Sequence, residues 1–175
     1  LADAASAVAV PNIARLLHGA RAGGVDVVHC LAVRRPDGRG ANANARLFGA
    51  TSKLGIDLLP GSGGDLLAEL GPAPSDLVLS RLHGIGPMAG TDLDAVLRNL
   101  GVTTIVGVGV SVNVAITNFV MDAVNHGYRF VLPRDAVAGV PADYADAVID
   151  QTLSLLATVT TTDEVLDRWA AAGAS

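Results

Sequence analysis

The sequence predicts an α/β fold: a doubly wound, mostly parallel sheet flanked by helices in three layers. Three observations carry that expectation. Apolar runs alternate along the chain with stretches of helical periodicity, the order that βαβ units produce. The most strand-like of them, Thr103–Val110, lacks the in–out alternation of a half-exposed strand. Half of the 175 residues are hydrophobic but only 3% are aromatic, so the core has to be built from Val, Leu, Ile and Ala. A single domain over residues 1–175 is expected, long enough to bury such a core.

Taken in order, the first element is a helix. Pro11 stands near its N-terminal end, Ile13, Leu16 and Leu17 recur at helical spacing, and Gly23-Gly24 stops it. Val25–Val33 reads as a strand. Residues 34–64, rich in Gly, Pro, Asn and Arg, read as a long irregular excursion of the kind that often carries function. A short helix around Leu66–Leu70 precedes Pro72 and Pro74, and Leu77–Ser80 is a second strand. Thr91-Asp92 caps a helix through Leu100, closed by Gly101. Thr103–Val110 runs into Ser111 and Asn113, cap-type residues that open a helix to His126, stopped by Gly127. Tyr128–Leu132 is a strand ended by Pro133, Tyr144–Leu156 a helix and Ala157–Thr160 a strand. Thr162 caps a last helix, Asp163–Ala172. A chain opening on a helix and on Leu1 lacks the strand expected to lead, so a first strand upstream is expected to fill the centre of the sheet.

Composition excludes several function classes. The net charge is −5 with a pI near 5.1, and no basic stripe with interleaved aromatics marks a nucleic-acid surface. No apolar stretch approaches the ~20 residues that span a bilayer. With no signal peptide visible, a cytoplasmic protein is expected. Cys30, the one cysteine, can form no internal disulfide, and no Cys/His spacing suits a metal. It reads as a small buried hydrophobe. His29 and Cys30 make a poor catalytic pair, because neighbours on a strand point to opposite faces.

The segment richest in chemistry is Gly107-Val108-Gly109-Val110-Ser111-Val112-Asn113-Val114-Ala115-Ile116-Thr117. It leaves a buried strand and enters a helix, where backbone N–H groups and the dipole favour negative charge. One reading is a dinucleotide loop, with Asp135 as the ribose acid about twenty residues on. Against it, Asn113 stands where the third glycine belongs.

The other reading comes from resemblance. Gly109–Thr117, then Asp122-Ala123, Gly127-Tyr128 and Asp135-Ala136-Val137-Ala138, resembles the signature of the isochorismatase-like (cysteine hydrolase) family. Gly90-Thr91-Asp92-Leu93 is similar to that family's Gly-Thr-x-Leu helix, and Thr161–Val165 to its closing strand-to-helix step. The ordered set covers residues 10–167. It implies a Rossmann-like three-layer fold, no cofactor, and a homo-oligomer that acts on a small molecule rather than on nucleic acid or membrane.

In such families an Asp ending the first strand, a Lys after a later strand and a Cys form the catalytic trio. By resemblance, Ala115 occupies the Cys position, where no thiolate can form. Arg81 occupies the Lys position; its guanidinium cannot shuttle a proton but suits a carboxylate. Family members resembling isochorismatase instead add water to a vinyl ether with acid assistance and no cysteine nucleophile. The resemblance therefore implies a ligand bearing a carboxylate, held by Arg81 and His83 beside Val110, Ser111 and Asn113, with Arg34, Arg35, Arg39 and Arg46 able to join the anion clamp. Two functions follow: a cysteine-independent hydrolase, or a family member without catalysis that binds a small molecule or serves in assembly.

Overall fold

The computed structural model describes residues 5–53 and 66–173. A π-helical turn, Ala5–Ala9, leads into helix α1 (Val10–Ala22), which has Pro11 in its first turn and buries Ile13, Leu16 and Ala20. Strand β1 (Val28–Ala32) follows, then α2 (Arg46–Lys53), β2 (Leu77–Arg81) and α3 (Leu93–Asn99). Next come β3 (Thr104–Val106), β4 (Gly109–Val110), a π-helical turn over Val112–Ile116 and α4 (Thr117–Asn125). The chain then builds β5 (Arg129–Pro133), β6 (Val137–Ala138), α5 (Ala142–Gln151), β7 (Thr158–Thr160) and α6 (Thr162–Gly173).

Every strand pairing among the described residues is parallel, as expected. β1 pairs with β2, from Val28 opposite Leu77 to Ala32 opposite Arg81. β5 lies between β3 and β7, and β4 pairs with β6. No ladder joins β1 to β3 among the described residues. The upstream strand expected between them lies outside the described residues.

Two hydrophobic clusters lie on the two faces of the sheet. On one, Leu93 and Leu97 of α3, Val120 and Ala123 of α4, and Ala145 and Ile149 of α5 meet Ile105, Phe130 and Leu132. On the other, Ile13 and Leu16 of α1 and Val165 of α6 meet Ala136, Val106 and Val131. Residues 105 and 106, like 130 and 131, thus face opposite ways, the period of a strand. Three layers result.

Several expectations need correction. The 34–64 stretch is not wholly irregular, since Arg46–Lys53 is a helix; residues 54–64 lie outside the described residues. The single strand expected over Thr103–Val110 is two. Gly107 breaks it, because a Cβ there would collide with the Phe130 ring, and Gly109 adopts φ +112, a left-handed conformation that glycine tolerates. Beyond the break the chain changes partner from β5 to β6. Neither Ser111 nor Asn113 caps the next helix: Ser111 makes no side-chain cap bond, and the Asn113 amide reaches across to the Val140 carbonyl at 2.8 Å. Thr91 does cap α3, its hydroxyl accepting the Leu93 N–H at 3.1 Å.

Helix α6 begins at Thr162 rather than after it, and its cap comes from Thr161. The Glu164 N–H donates to Thr161 Oγ1 at 3.3 Å, while the Glu164 carboxylate accepts the Thr161 N–H at 3.2 Å, a reciprocal capping box. Asp135, remote in sequence, adds to it. Its Oδ1 accepts both the Thr162 N–H at 2.8 Å and the Thr162 hydroxyl at 3.0 Å. That occupation removes Asp135 as a ribose acid. Asp135→Ala should cost about 1 kcal/mol, the worth of a helix cap. Urea denaturation should show a lower midpoint with an unchanged slope.

Candidate active site

Parallel strands bring all their carboxyl ends to one edge, where ligands of open α/β sheets bind. Arg81 is the last residue of β2, one position further into the strand than the sequence suggested. Strand alternation puts it on the same face as Cys30 and Leu79, and the three line a crevice with Pro87 and Thr91, too narrow to admit a water molecule. Arg81 Nη2 donates to the Ile85 carbonyl at 3.1 Å. Its Nε is buried with no hydrogen-bond partner among the described residues. Burial lowers the Arg81 pKa from its ordinary value, as expected of a guanidinium without an acid beside it.

Cys30 shares this face. Burial pushes its thiol up to about 11, against the opposing pull of the Arg81 charge. At neutral pH only about one thiol in ten thousand is then ionised. The folded chain should resist iodoacetamide at pH 7.5 over hours and take one equivalent within minutes in urea. Comparable rates in both states would show that the thiol is exposed.

The second part of the candidate site is the entry to α4. The chain leaves β4 at Val110, which is exposed, crosses a cis Val110–Ser111 peptide, and winds into the π-helical turn. Ala115 lies in that turn, half-buried. Asn113 ties the turn to the segment after β6, and its Oδ1 is buried without a hydrogen-bond partner among the described residues. A Cβ at Gly139 would collide with that Oδ1, so the tie requires glycine there. The loop after Arg81 reaches the same helix, since a Cβ on Gly86 would collide with the Asn118 side chain. Arg81 and Ala115 thus belong to segments that meet, through Gly86 and Asn118.

His83 turns onto its own loop. It is exposed, and its ring covers Gly90, which has φ +71 and no Cβ to obstruct it. Among the loop arginines, Arg35 is taken by Asp37 through two contacts of 2.9 and 2.8 Å. The pair holds Arg35 above its usual pKa and Asp37 below its own. Two residues were missed by sequence reasoning. Asn42 Oδ1 accepts the Gly84 N–H at 2.7 Å, fastening the arginine loop to the loop after β2. Asp76 lies on the opposite face, its side chain only 1% exposed, bound to Arg21 at 2.5 Å and His29 at 2.9 Å. Asn42 carries no local signal. Asp76 stands directly before an apolar strand, which hints at burial.

A larger concavity, of about 440 Å³, lies between α1 and α6, lined by Ala14, Arg15, His18, Gly19 and Leu166. It sits away from the strand ends, and Arg15 at its rim is paired with Asp163. Among the described residues no group of three or more His, Cys, Asp or Glu side chains is placed to hold a metal ion. No described helix is long and apolar enough to cross a membrane.

A parallel sheet between two helical layers, with an arginine and a helix entry meeting at its carboxyl edge, is the arrangement of a doubly wound α/β domain whose candidate site lies at the strand ends. The isochorismatase domain model matches residues 1–164, and the chain belongs to that family. A cysteine hydrolase from Pseudomonas syringae pv. phaseolicola superimposes with a TM-score of 0.83 at 28% identity, covering 95% of this chain and 82% of that one. An isochorismatase family protein from Desulfovibrio vulgaris gives 0.81 at 28% identity, covering 93% and 84%. Among curated proteins, an uncharacterized isochorismatase family protein of Escherichia coli is 30% identical over 100 residues, 57% of this chain and 53% of that one. N-carbamoylsarcosine amidase of an Arthrobacter species is 26% identical over 131 residues, 73% of this chain and 48% of that one. The chain spans about half the length of the curated relatives it matches, 53%, 58% and 48% of them.

Proposed function

We propose that this chain is a hydrolase of the isochorismatase family that acts on a small carboxylate-bearing metabolite without a cysteine nucleophile. The observation that carries the reading is Arg81. Its Nε is buried with no partner among the described residues, at the carboxyl end of a parallel strand, and the crevice around it has to widen before a substrate carboxylate reaches it. Ala115 offers only a methyl group at the entry to α4, and Cys30 is held as a neutral thiol. The attacking group is then water, and Arg81 binds and orients the substrate carboxylate. A guanidinium does not deliver protons, so acid assistance has to come from another group.

A second reading, a member that binds without turnover, draws support from the same residues. No salt bridge among the described residues includes Arg81, so no carboxyl group lies within ion-pair distance of it. One experiment separates the two. The chain and its Cys30→Ala variant are assayed against a panel of small carboxylate-bearing enol ethers, esters and amides. Turnover that survives in Cys30→Ala and falls about a hundredfold or more in Arg81→Gln is expected, the loss typical of a buried charged contact. Turnover abolished in a folded Cys30→Ala would refute cysteine independence. Arg81-dependent binding with no turnover across the panel would establish the second reading.

A further inference from the structure

The Arg81 guanidinium is held by a run of contacts that starts in a different loop. Its Nη2 donates to the Ile85 carbonyl at 3.1 Å. The residue before Ile85 is Gly84, whose N–H donates to Asn42 Oδ1 at 2.7 Å. Asn42 is oriented in turn, because its amide nitrogen donates to Asn44 Oδ1 at 3.1 Å and leaves the carbonyl oxygen for Gly84. With Nη2 bound to Ile85, the Nε edge is the one turned inward. It is buried without a partner among the described residues, in the crevice of Cys30, Leu79, Pro87 and Thr91.

The two halves of the loop after β2 are anchored by different forces. In the second half Gly86 and Met88 are buried, Met88 in the same cluster as Leu93 and Leu97, and the Thr91 hydroxyl donates to the Pro87 carbonyl. In the first half Leu82, His83 and Ile85 are exposed, so little apolar burial fixes it. Gly84 there has φ +87, in a region glycine enters and leaves at little cost. A polar tie therefore decides where the Ile85 carbonyl stands, and Asn42 supplies one from the loop after β1. The tie has something to oppose. Burial disfavours the Arg81 charge, so a released guanidinium moves toward water.

We infer that Asn42 is a positioning residue for Arg81: by fixing Gly84 it sets the Ile85 carbonyl, which turns the guanidinium so that its Nε edge faces the crevice. The inference deepens the Arg81 reading above and rests on it. Nitrogen-15 NMR of the whole chain tests it, because an arginine Nε–H exchanges with water at a rate that burial slows. The Arg81 signal is assigned by its absence from Arg81→Gln. In the wild type it should exchange about tenfold more slowly, or slower still, than in the urea-unfolded chain. Asn42→Ala should speed that exchange about fivefold, the population change that losing one hydrogen bond brings. Asn42→Asp keeps an acceptor oxygen for Gly84 and should hold the wild-type rate. The Arg21 Nε–H, bonded to Asp76 Oδ1 at 3.3 Å, is the internal reference for folding and should not move in either variant. An Arg81 rate indifferent to Asn42→Ala, an equal acceleration at Arg21, or an Asn42→Asp rate as fast as that of Asn42→Ala would each overturn the inference. All three leave the protected Arg81 Nε, and with it the proposed function, standing. An Arg81 Nε–H that exchanges in the folded wild type as fast as in the unfolded chain would remove the Arg81 reading and the inference together.

Discussion

Replacing Asp76 with alanine should destabilise the fold by about 3–5 kcal/mol, the cost of breaking a buried ion pair by removing one partner. Asp76 receives Arg21 Nη2 at 2.5 Å, His29 Nε2 at 2.9 Å and the Ala73 N–H at 3.0 Å. Arg21 also donates to the Gly71 carbonyl at 3.1 Å, so the cluster joins the end of α1 to the chain entering β2 and to β1. Without the carboxylate, the His29 ring, 7% exposed, loses its partner inside the protein. Guanidinium denaturation of Asp76→Ala should show the loss, and a change under about 1 kcal/mol would mean that the cluster is solvated.

The same carboxylate sets an acid limb. Its hydrogen bond from Arg21, chiefly, holds its pKa well below the unfolded value of 3.8. A depressed carboxylate contributes stability above the unfolded pKa and loses it as pH falls toward the folded one. Wild-type stability should therefore fall below about pH 4 more steeply than that of Asp76→Ala. The two curves should converge at strongly acidic pH.

Phe130→Ala should cost a similar amount, about 3–5 kcal/mol, through the cavity it opens. Phe130 is 2% exposed in β5 and stands edge-to-face with Phe119 of α4, ring centroids 5.1 Å apart at 88°. Mostly aliphatic side chains, with Tyr128, share the cluster that holds the pair. The ring also occupies the room above Gly107. Its removal should loosen the break between β3 and β4 as well as the core. Hydrogen exchange at Gly107–Val110 should accelerate beyond the global change; protection that falls evenly along the chain would count against that coupling.

Much of the fold was legible in the sequence because its signals are local. The apolar runs of β1, β2, β5 and β7, the glycine stops after α1, α3 and α4, and the Thr91 cap all depend on neighbours within a few residues. The α/β class and the parallel sheet follow from their order. Family membership was legible in the motifs spread from Gly90 to Val165, each soft alone but in sequence order.

Other features were decided only in three dimensions. The division of Thr103–Val110 depends on Phe130, more than twenty residues away, because a strand's partner is chosen by what packs above and beside it. Asp135 read locally as a possible ribose acid, yet its carboxylate caps a helix that begins at Thr162. Asn113 looked like a cap and proved to be a tie to Val140. The candidate site shows the same division. Arg81 could be singled out by residue type and position, but its buried, unpartnered Nε and the fastening of the arginine loop by Asn42 come from contacts between segments far apart in sequence. Periodicity and capping are properties of a few consecutive residues, so the sequence by itself determined the fold class and most of the elements. Which polar groups find partners, and which are left without one, depends on the packing of distant elements, and only the tertiary structure decided it.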